Sequence, residues 1–151
     1  AVMTYKGERF MDRMARIAID AGFHPHFIVK SAQSITSLDF PVLVENEKKH
    51  HPLYGVRIAL DHCPDEYALI LPCDCLFIKP NSLSRFRNCD VPTIACGNQN
   101  NALIGWYPKS WSTKAMAYAN NNSSVNEFAK EASILYFPTM QLNNCNRPED
   151  I

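Results

Sequence analysis

The stretch Tyr67-Ala-Leu-Ile-Leu-Pro-Cys-Asp74 is an apolar run that ends abruptly in one carboxylate. A short apolar run bounded by turn signals is typical of a strand buried on both faces, as in a parallel sheet. Carboxylates are rarely buried unless they are paired or bound to a metal, and ligands of open α/β sheets bind at the carboxyl ends of the strands. Asp74 is therefore either a metal- or phosphate-site residue or an ordinary turn residue, and this stretch alone does not decide between the two.

Helical and strand patterns alternate on both sides of this run. Helices are predicted over residues 8–21, 52–62, 80–87, 111–119 and 125–132, and a last one is predicted to start at 148–150. Strands are predicted over residues 26–30, 40–44, 67–71, 91–96, 102–107 and 134–140. Such alternation implies crossover connections and a mostly parallel sheet. The predicted fold class is a three-layer αβα, Rossmann-like single domain over residues 1–151, with helices on both faces.

Composition bears on three questions: whether the protein binds nucleic acid, whether it contacts a membrane, and whether its cysteines are reduced. Lys plus Arg and Asp plus Glu number 15 each, so the formal net charge is zero, which argues against nucleic acid as a partner. The sequence has neither a membrane-length apolar run nor a recognisable signal peptide, which predicts a cytoplasmic protein without membrane contact. The six cysteines are scattered, a pattern that favours reduced, mostly buried thiols, with a zinc site as the alternative.

Four segments carry a resemblance to a known family. They are Thr4-Tyr-Lys-Gly7, His51-Pro-Leu-Tyr-Gly55, Leu71-Pro-Cys-Asp74 and Leu142-Asn-Asn-Cys-Asn-Arg-Pro-Glu-Asp150. In this order they resemble the motifs of the molybdenum cofactor guanylyltransferases (MobA-type), members of the nucleotide-diphospho-sugar transferase-like superfamily. The last two resemble the family's "x-P-C-D-x-P-F-L" and "F-x-N-x-N-T-P-E-D-L", and they are fairly specific as a pair.

The resemblance implies a nucleotidyltransferase that moves GMP from GTP to the phosphate of molybdopterin. It implies that Asp74 and Asn146 hold a Mg²⁺ ion, with Asn144 beside them at the substrate. It further implies partners among the proteins that make or receive the molybdenum cofactor. Read alone, Asn144 and Asn146 are also consistent with ordinary turn chemistry, since Asn favours turns.

The same resemblance places a nucleotide pocket elsewhere in the chain. Pro52, Leu53 and Gly55 would lie over the base or sugar, although the same residues are also consistent with a helix start that binds nothing. Asn46 falls near a family Asp that contacts the nucleotide, and Lys30 ends a strand where the family contacts the base. Tyr54 and the neighbouring His51 are bulkier than the family's residues, which puts base specificity in question.

One family feature is missing from the sequence. The family opens with a strand and a glycine-rich loop that wraps the nucleoside triphosphate, and none of the five glycines here forms such a loop. We expect a preceding segment to supply it; the alternative is a degenerate relative. Two other functions therefore stay open: a related transferase that uses CTP or another phosphorylated acceptor, and a non-catalytic nucleotide-binding or scaffold domain.

Overall fold

Strands and helices alternate along residues 3–31 and 39–146, which the computed structural model describes. The strands are β1 (Thr4–Tyr5), β2 (Glu8–Arg9), β3 (Phe27–Val29), β4 (Val42–Val44), β5 (Tyr67–Ile70), β6 (Thr93–Cys96), β7 (Asn100–Pro108) and β8 (Ser133–Tyr136). The α-helices are α1 (Phe10–Asp20), α2 (Pro52–His62), α3 (Pro80–Leu83), α4 (Ser112–Asn120) and α5 (Val125–Phe128). The 3₁₀ segments within these described ranges are Ser84–Asn88, Lys109–Trp111 and Thr139–Leu142. The helix start predicted at 148–150 lies outside the described residues.

The largest sheet is mixed, which corrects the prediction of a mostly parallel one. Its strand order is β5-β7-β6-β8, with β7 antiparallel to both neighbours and β6 parallel to β8. The reason is visible in the sequence, because only residues 97–99 separate β6 from β7. A parallel crossover needs a dozen or more residues, whereas a short loop can only return the chain antiparallel.

Two smaller pairings complete the described sheets. Strands β3 and β4 pair in parallel. Strands β1 and β2 form a hairpin whose turn residues, Lys6 and Gly7, have φ angles of 51° and 79°. Positive φ at both turn positions matches the twist of a two-residue hairpin. The hairpin holds Glu8–Arg9, so α1 begins at Phe10 rather than at residue 8 as predicted.

Helices cover both faces of the largest sheet, as the three-layer prediction requires. Leu69 and Leu71 of the β5 segment pack into a core with α1 and α3, whereas Ala68 and Ile70 pack into a second core with α2, α4 and α5. This alternation follows from the two-residue period of a strand, which sends successive side chains to opposite faces. None of the helices in the described ranges is both long and apolar enough to cross a membrane.

Strand β5 departs from the prediction of a fully buried strand. All four of its residues are only half-buried. Within the described residues β5 pairs only with β7, and β3 pairs only with β4. Residues of both strands line one cavity of about 870 Å³. The apolar run was correctly identified as a strand, but one of its edges borders a cavity instead of another strand.

Candidate functional site

The chain leaves β5 through residues 71–73 and reaches Asp74, which is half-buried. The Oδ1 atom of Asp74 is shielded from solvent and has no hydrogen-bond partner among the described residues. Buried polar atoms are nearly always paired, and a buried carboxylate oxygen without a donor is destabilising. An oxygen in this state is suited to a cation that is not part of the chain.

The segment that follows β8 packs against the Asp74 loop. The backbone N–H of Cys145 donates to the carbonyl of Asp74 at 2.9 Å. The thiol of Cys75 donates to Asn144 Oδ1 at 3.2 Å. Two segments about seventy residues apart in sequence are thus joined at Asp74, and the residues flanking Cys145 are Asn144 and Asn146. The structure therefore brings together the three residues that the sequence singled out here.

Buried side chains anchor this contact on both sides. Cys75 and Cys145 are almost fully buried, with 0% and 1% of their surfaces exposed. Gln141, four residues before Cys145, is also buried, and its Oε1 accepts the backbone N–H of Lys79 at 3.1 Å. Burial raises the pKa of Cys75 to about 12, and the charge of Asp74 adds to the shift. Cys75 is thus a protonated donor at neutral pH rather than a nucleophile.

The donor set suits a hard cation more than zinc. In residues 3–31 and 39–146, no three His, Cys, Asp or Glu side chains cluster to hold a metal. Zinc sites need three or four such ligands, whereas Mg²⁺ keeps several waters and requires only one or two protein groups. The carboxylate of Asp74 with the amide oxygen of Asn146, an exposed residue, fits the second pattern.

A second cavity, of about 460 Å³, lies between the end of β3 and the start of α2. Three of the predicted nucleotide-binding residues line it: Lys30, Pro52 and Gly55. Leu71 lines both this cavity and the larger one, so the two meet at the end of β5, three residues before Asp74. These three predicted nucleotide-binding residues and Asp74 therefore lie near the same end of β5.

Two other predicted nucleotide-binding residues, Leu53 and Asn46, line neither cavity. Leu53 is fully buried in the core that α2 forms with α4 and α5, so its side chain does not line either cavity. Asn46 is exposed and also lies outside the lining of both cavities. The adjacent Glu45 lines the smaller cavity instead, and only 5% of its surface is exposed.

Glu45 is the main residue that sequence reasoning passed over. Its Oε1 accepts the backbone N–H of Glu47 at 2.6 Å, and its Oε2 pairs with the ammonium of Lys30. Lys30 Nζ also donates to the carbonyls of Glu47 and Lys49, each at 3.3 Å. The pair fixes the loop that borders the cavity. The available signal was similar to the one that selected Asp74, a carboxylate shortly after an apolar strand; Glu45 immediately follows β4.

His51 has a structural role at the same cavity. Its Nδ1 accepts the backbone N–H of Leu53 at 3.1 Å and so caps α2, and its Nε2 lies 2.7 Å from the carbonyl of Ser123. The second contact requires an N–H at Nε2, which leaves Nδ1 as the acceptor. Tyr54 points away from the cavity and donates its hydroxyl to Asn120 Oδ1 at 2.9 Å. Tyr54 therefore does not crowd the candidate nucleotide pocket.

Several solved structures share this fold. The chain is similar to Aq1419 from Aquifex aeolicus VF5, with a TM-score of 0.77 and 18% identity over 91% of this chain and 80% of that one. It is similar to molybdopterin-guanine dinucleotide biosynthesis protein A from Archaeoglobus fulgidus, with a TM-score of 0.78 and 15% identity over 98% and 84%. It is also similar to Rv0371c from Mycobacterium tuberculosis H37Rv, with a TM-score of 0.76 and 14% identity over 99% and 85%. At these identities the likeness concerns the fold.

The sequence itself gives the family. None of the curated proteins matches the chain in sequence. Residues 1–133, however, match the family model described as a MobA-like NTP transferase domain. That match covers most of the 151 residues, and it agrees with the resemblance inferred from the four motifs. The chain belongs to the MobA-like NTP transferase family, a family of nucleotidyltransferases.

Proposed function

We propose that this chain transfers GMP from GTP to the phosphate of molybdopterin, with Mg²⁺, and releases pyrophosphate. Family membership supports the reaction class. The printed function of the Archaeoglobus fulgidus protein, molybdopterin-guanine dinucleotide biosynthesis, supports the acceptor. The observation that carries the proposal is the buried Oδ1 of Asp74, which has no hydrogen-bond partner among the described residues. The bond from Cys145 holds Asp74 beside Asn144 and Asn146.

The chemistry requires positioning and charge neutralisation more than covalent catalysis. An oxygen of the acceptor phosphate attacks the α-phosphorus of GTP, the bond to the bridging oxygen of the β-phosphate breaks, and pyrophosphate leaves with that oxygen. Catalysis of such transfers depends on alignment and electrostatics. Asp74 and Asn146 would hold Mg²⁺, which when bound neutralises negative charge on the phosphates.

The remaining residues divide between the two substrates. Pro52 and Gly55 would border the base or sugar in the smaller cavity, which Glu45 and Lys30 also line. The start of α2 is not suited to phosphate, because Pro52 lacks an N–H and the N–H of Leu53 is already bonded to His51. Asn144, next to Asp74, would contact the acceptor phosphate.

Pyrophosphate release from GTP in the presence of molybdopterin tests the proposal. We expect Asp74→Ala and Asp74→Asn to lower kcat by about 10²–10³-fold, the range seen when a key electrostatic group is removed. The matched control is Asp20→Asn, an exposed carboxylate at the end of α1, which should keep wild-type activity. Undiminished activity in both Asp74 variants would exclude the metal role.

A nucleotide panel separates the alternatives that the sequence left open. Thermal shift with GTP, CTP, ATP and UTP should show the largest stabilisation with GTP. A larger shift with CTP would favour the cytidylyl reaction. Binding of a nucleotide without pyrophosphate release, for any phosphorylated acceptor offered, would favour the non-catalytic nucleotide-binding role.

A further inference from the structure

The side-chain amide of Asn144 is held by the thiol of a buried cysteine. The Sγ of Cys75 donates its proton to Asn144 Oδ1 at 3.2 Å. Cys75 is fully buried, and it belongs to the core that also contains Leu76 and Ile78. Asn144 itself is exposed. One end of an exposed amide is thus fixed from inside the protein.

This contact sets which end of the amide faces outward. An Asn side chain carries an acceptor oxygen and a donor NH₂ group, whereas a thiol has one proton to donate and a sulfur that accepts only weakly. With Oδ1 on the thiol, the amide turns its NH₂ group away from Cys75. The reverse orientation would set the NH₂ group against the S–H group and lose the hydrogen bond. Cys75 therefore selects the orientation in which Asn144 can donate to a ligand.

The position of residue 144 does not depend on the thiol. The backbone N–H of Cys145 donates to the carbonyl of Asp74 at 2.9 Å, so the main chain itself keeps Asn144 beside Asp74. The terminal torsion of an Asn side chain has a broad, roughly two-fold preference, and the main chain leaves it undetermined. Loss of the thiol should therefore leave Asn144 in place but free its amide to rotate.

We propose that Cys75 is a positioning residue, whose thiol orients the Asn144 amide so that its NH₂ group donates to the phosphate of the acceptor. The inference rests on the proposed function, in which Asn144 contacts that phosphate. A phosphate group is negatively charged and accepts hydrogen bonds, so it is attracted by an NH₂ group and repelled by a carbonyl oxygen. In this role Cys75 touches neither substrate nor metal and acts through Asn144.

The test is steady-state pyrophosphate release with GTP and molybdopterin varied in turn. Cys75→Ala removes the donor, whereas Cys75→Ser keeps one. The matched control is Ile78→Val, which like Cys75→Ala removes one heavy atom from the same core. We expect Cys75→Ala to raise KM for molybdopterin about tenfold, the order expected for one lost hydrogen bond to a charged group, with KM for GTP unchanged within about twofold. Cys75→Ser should restore most of the loss, and Ile78→Val should change neither KM.

Two variants of Asn144 separate orientation from packing. In an Asn144→Ala background, Cys75→Ala should have no further effect on KM for molybdopterin, because no amide is left to orient; a packing defect would add to the loss. Asn144→Asp exchanges the NH₂ group for a second oxygen and should weaken acceptor binding more than Asn144→Ala does. Because residue 144 is exposed, this variant tests the donor role even where a Cys75 variant fails to fold, and wild-type KM in Asn144→Asp would overturn the proposal.

Four further results would overturn it: wild-type KM for molybdopterin in Cys75→Ala, no recovery in Cys75→Ser, an equal loss in Ile78→Val, or additive effects of Cys75→Ala and Asn144→Ala. A wild-type protein that releases no pyrophosphate would instead overturn the proposed function. The orientation is then decided by titration with inorganic phosphate, followed through the side-chain NH₂ resonances of Asn144 in isotope-labelled protein. Phosphate should shift these resonances in the wild-type protein and in Cys75→Ser but not in Cys75→Ala, and equal shifts in all three proteins would overturn the inference.

Discussion

Replacing Asp74 by Asn should make the metal-free protein more stable. The Oδ1 atom is shielded from water and lacks a donor among the described residues, so its charge is poorly compensated. An unsatisfied buried polar group costs about 1–3 kcal/mol, and more when charged. The bond from Cys145 goes to the backbone carbonyl of residue 74 and survives the change. We expect the free energy of unfolding to rise by about 1–2 kcal/mol, which raises Tm by about 2–8 °C for a chain of this size.

Mg²⁺ should narrow or cancel this difference in stability between Asp74→Asn and the wild-type protein. A cation that binds only the folded protein stabilises it by RT ln(1 + [L]/Kd), about 1.4 kcal/mol at ten times Kd. Urea unfolding with and without 10 mM MgCl₂ measures both effects, with Asp20→Asn as the exposed control, expected within about 0.5 kcal/mol of wild type. The reasoning fails if Asp74→Asn is destabilised by more than about 1 kcal/mol in metal-free buffer. It also fails if Mg²⁺ stabilises Asp74→Asn as much as the wild-type protein.

Three further predictions concern the scaffold that positions the site. Gly105→Ala should lower the free energy of unfolding by about 1–3 kcal/mol, because an added Cβ would lie 2.4 Å from the buried ring of Tyr107. Urea unfolding measures this loss, and an unchanged urea midpoint would contradict it. Burial raises the pKa of Tyr107. The free energy of unfolding should therefore fall as the pH rises past 10, because the unfolded state releases this proton first. Tyr107→Phe should make this fall with pH less steep, whereas Tyr136→Phe, at an exposed residue, should not. His51→Ala should cost about 1–2 kcal/mol through the lost helix cap, and His50→Ala, at an exposed neighbour, should cost under about 0.5 kcal/mol; equal costs would remove the capping role.

The sequence predicted the helices and strands better than it predicted which strands pair with each other. Pro52 and the apolar residues after it defined α2 correctly because a helix is specified by local contacts and by its cap. Strand pairing depends on chain direction and on neighbours that lie far along the chain. The antiparallel pairing of β6 and β7 was nevertheless accessible, since their connection is too short for a crossover. The half-burial of β5 was not, because it depends on a gap between two sheets.

In the candidate site, too, the sequence identified the motifs but not the way each side chain faces in the folded chain. Asp74 and the Asn144–Asn146 segment could be matched by motif, and the structure joins them through Cys145 and Cys75. Local sequence cannot indicate that Leu53 faces the core while Gly55 faces a cavity, because both fall in the first turn of the same helix. That difference is set by the packing of α2 between the sheet and α4.

Two segments hold the Asp74 loop in place: the segment after β8 and strand β5. In the described residues, only the first is anchored to the loop through buried cysteines. The segment after β8 holds the loop through the Cys145 and Cys75 bonds, which join buried groups. The other support is β5 itself, which is paired along one edge and borders the cavity along the other. Strand edges without partners exchange and fluctuate more readily than paired ones. In the described residues, the segment after β8 therefore fixes the position of Asp74 more firmly than β5 does.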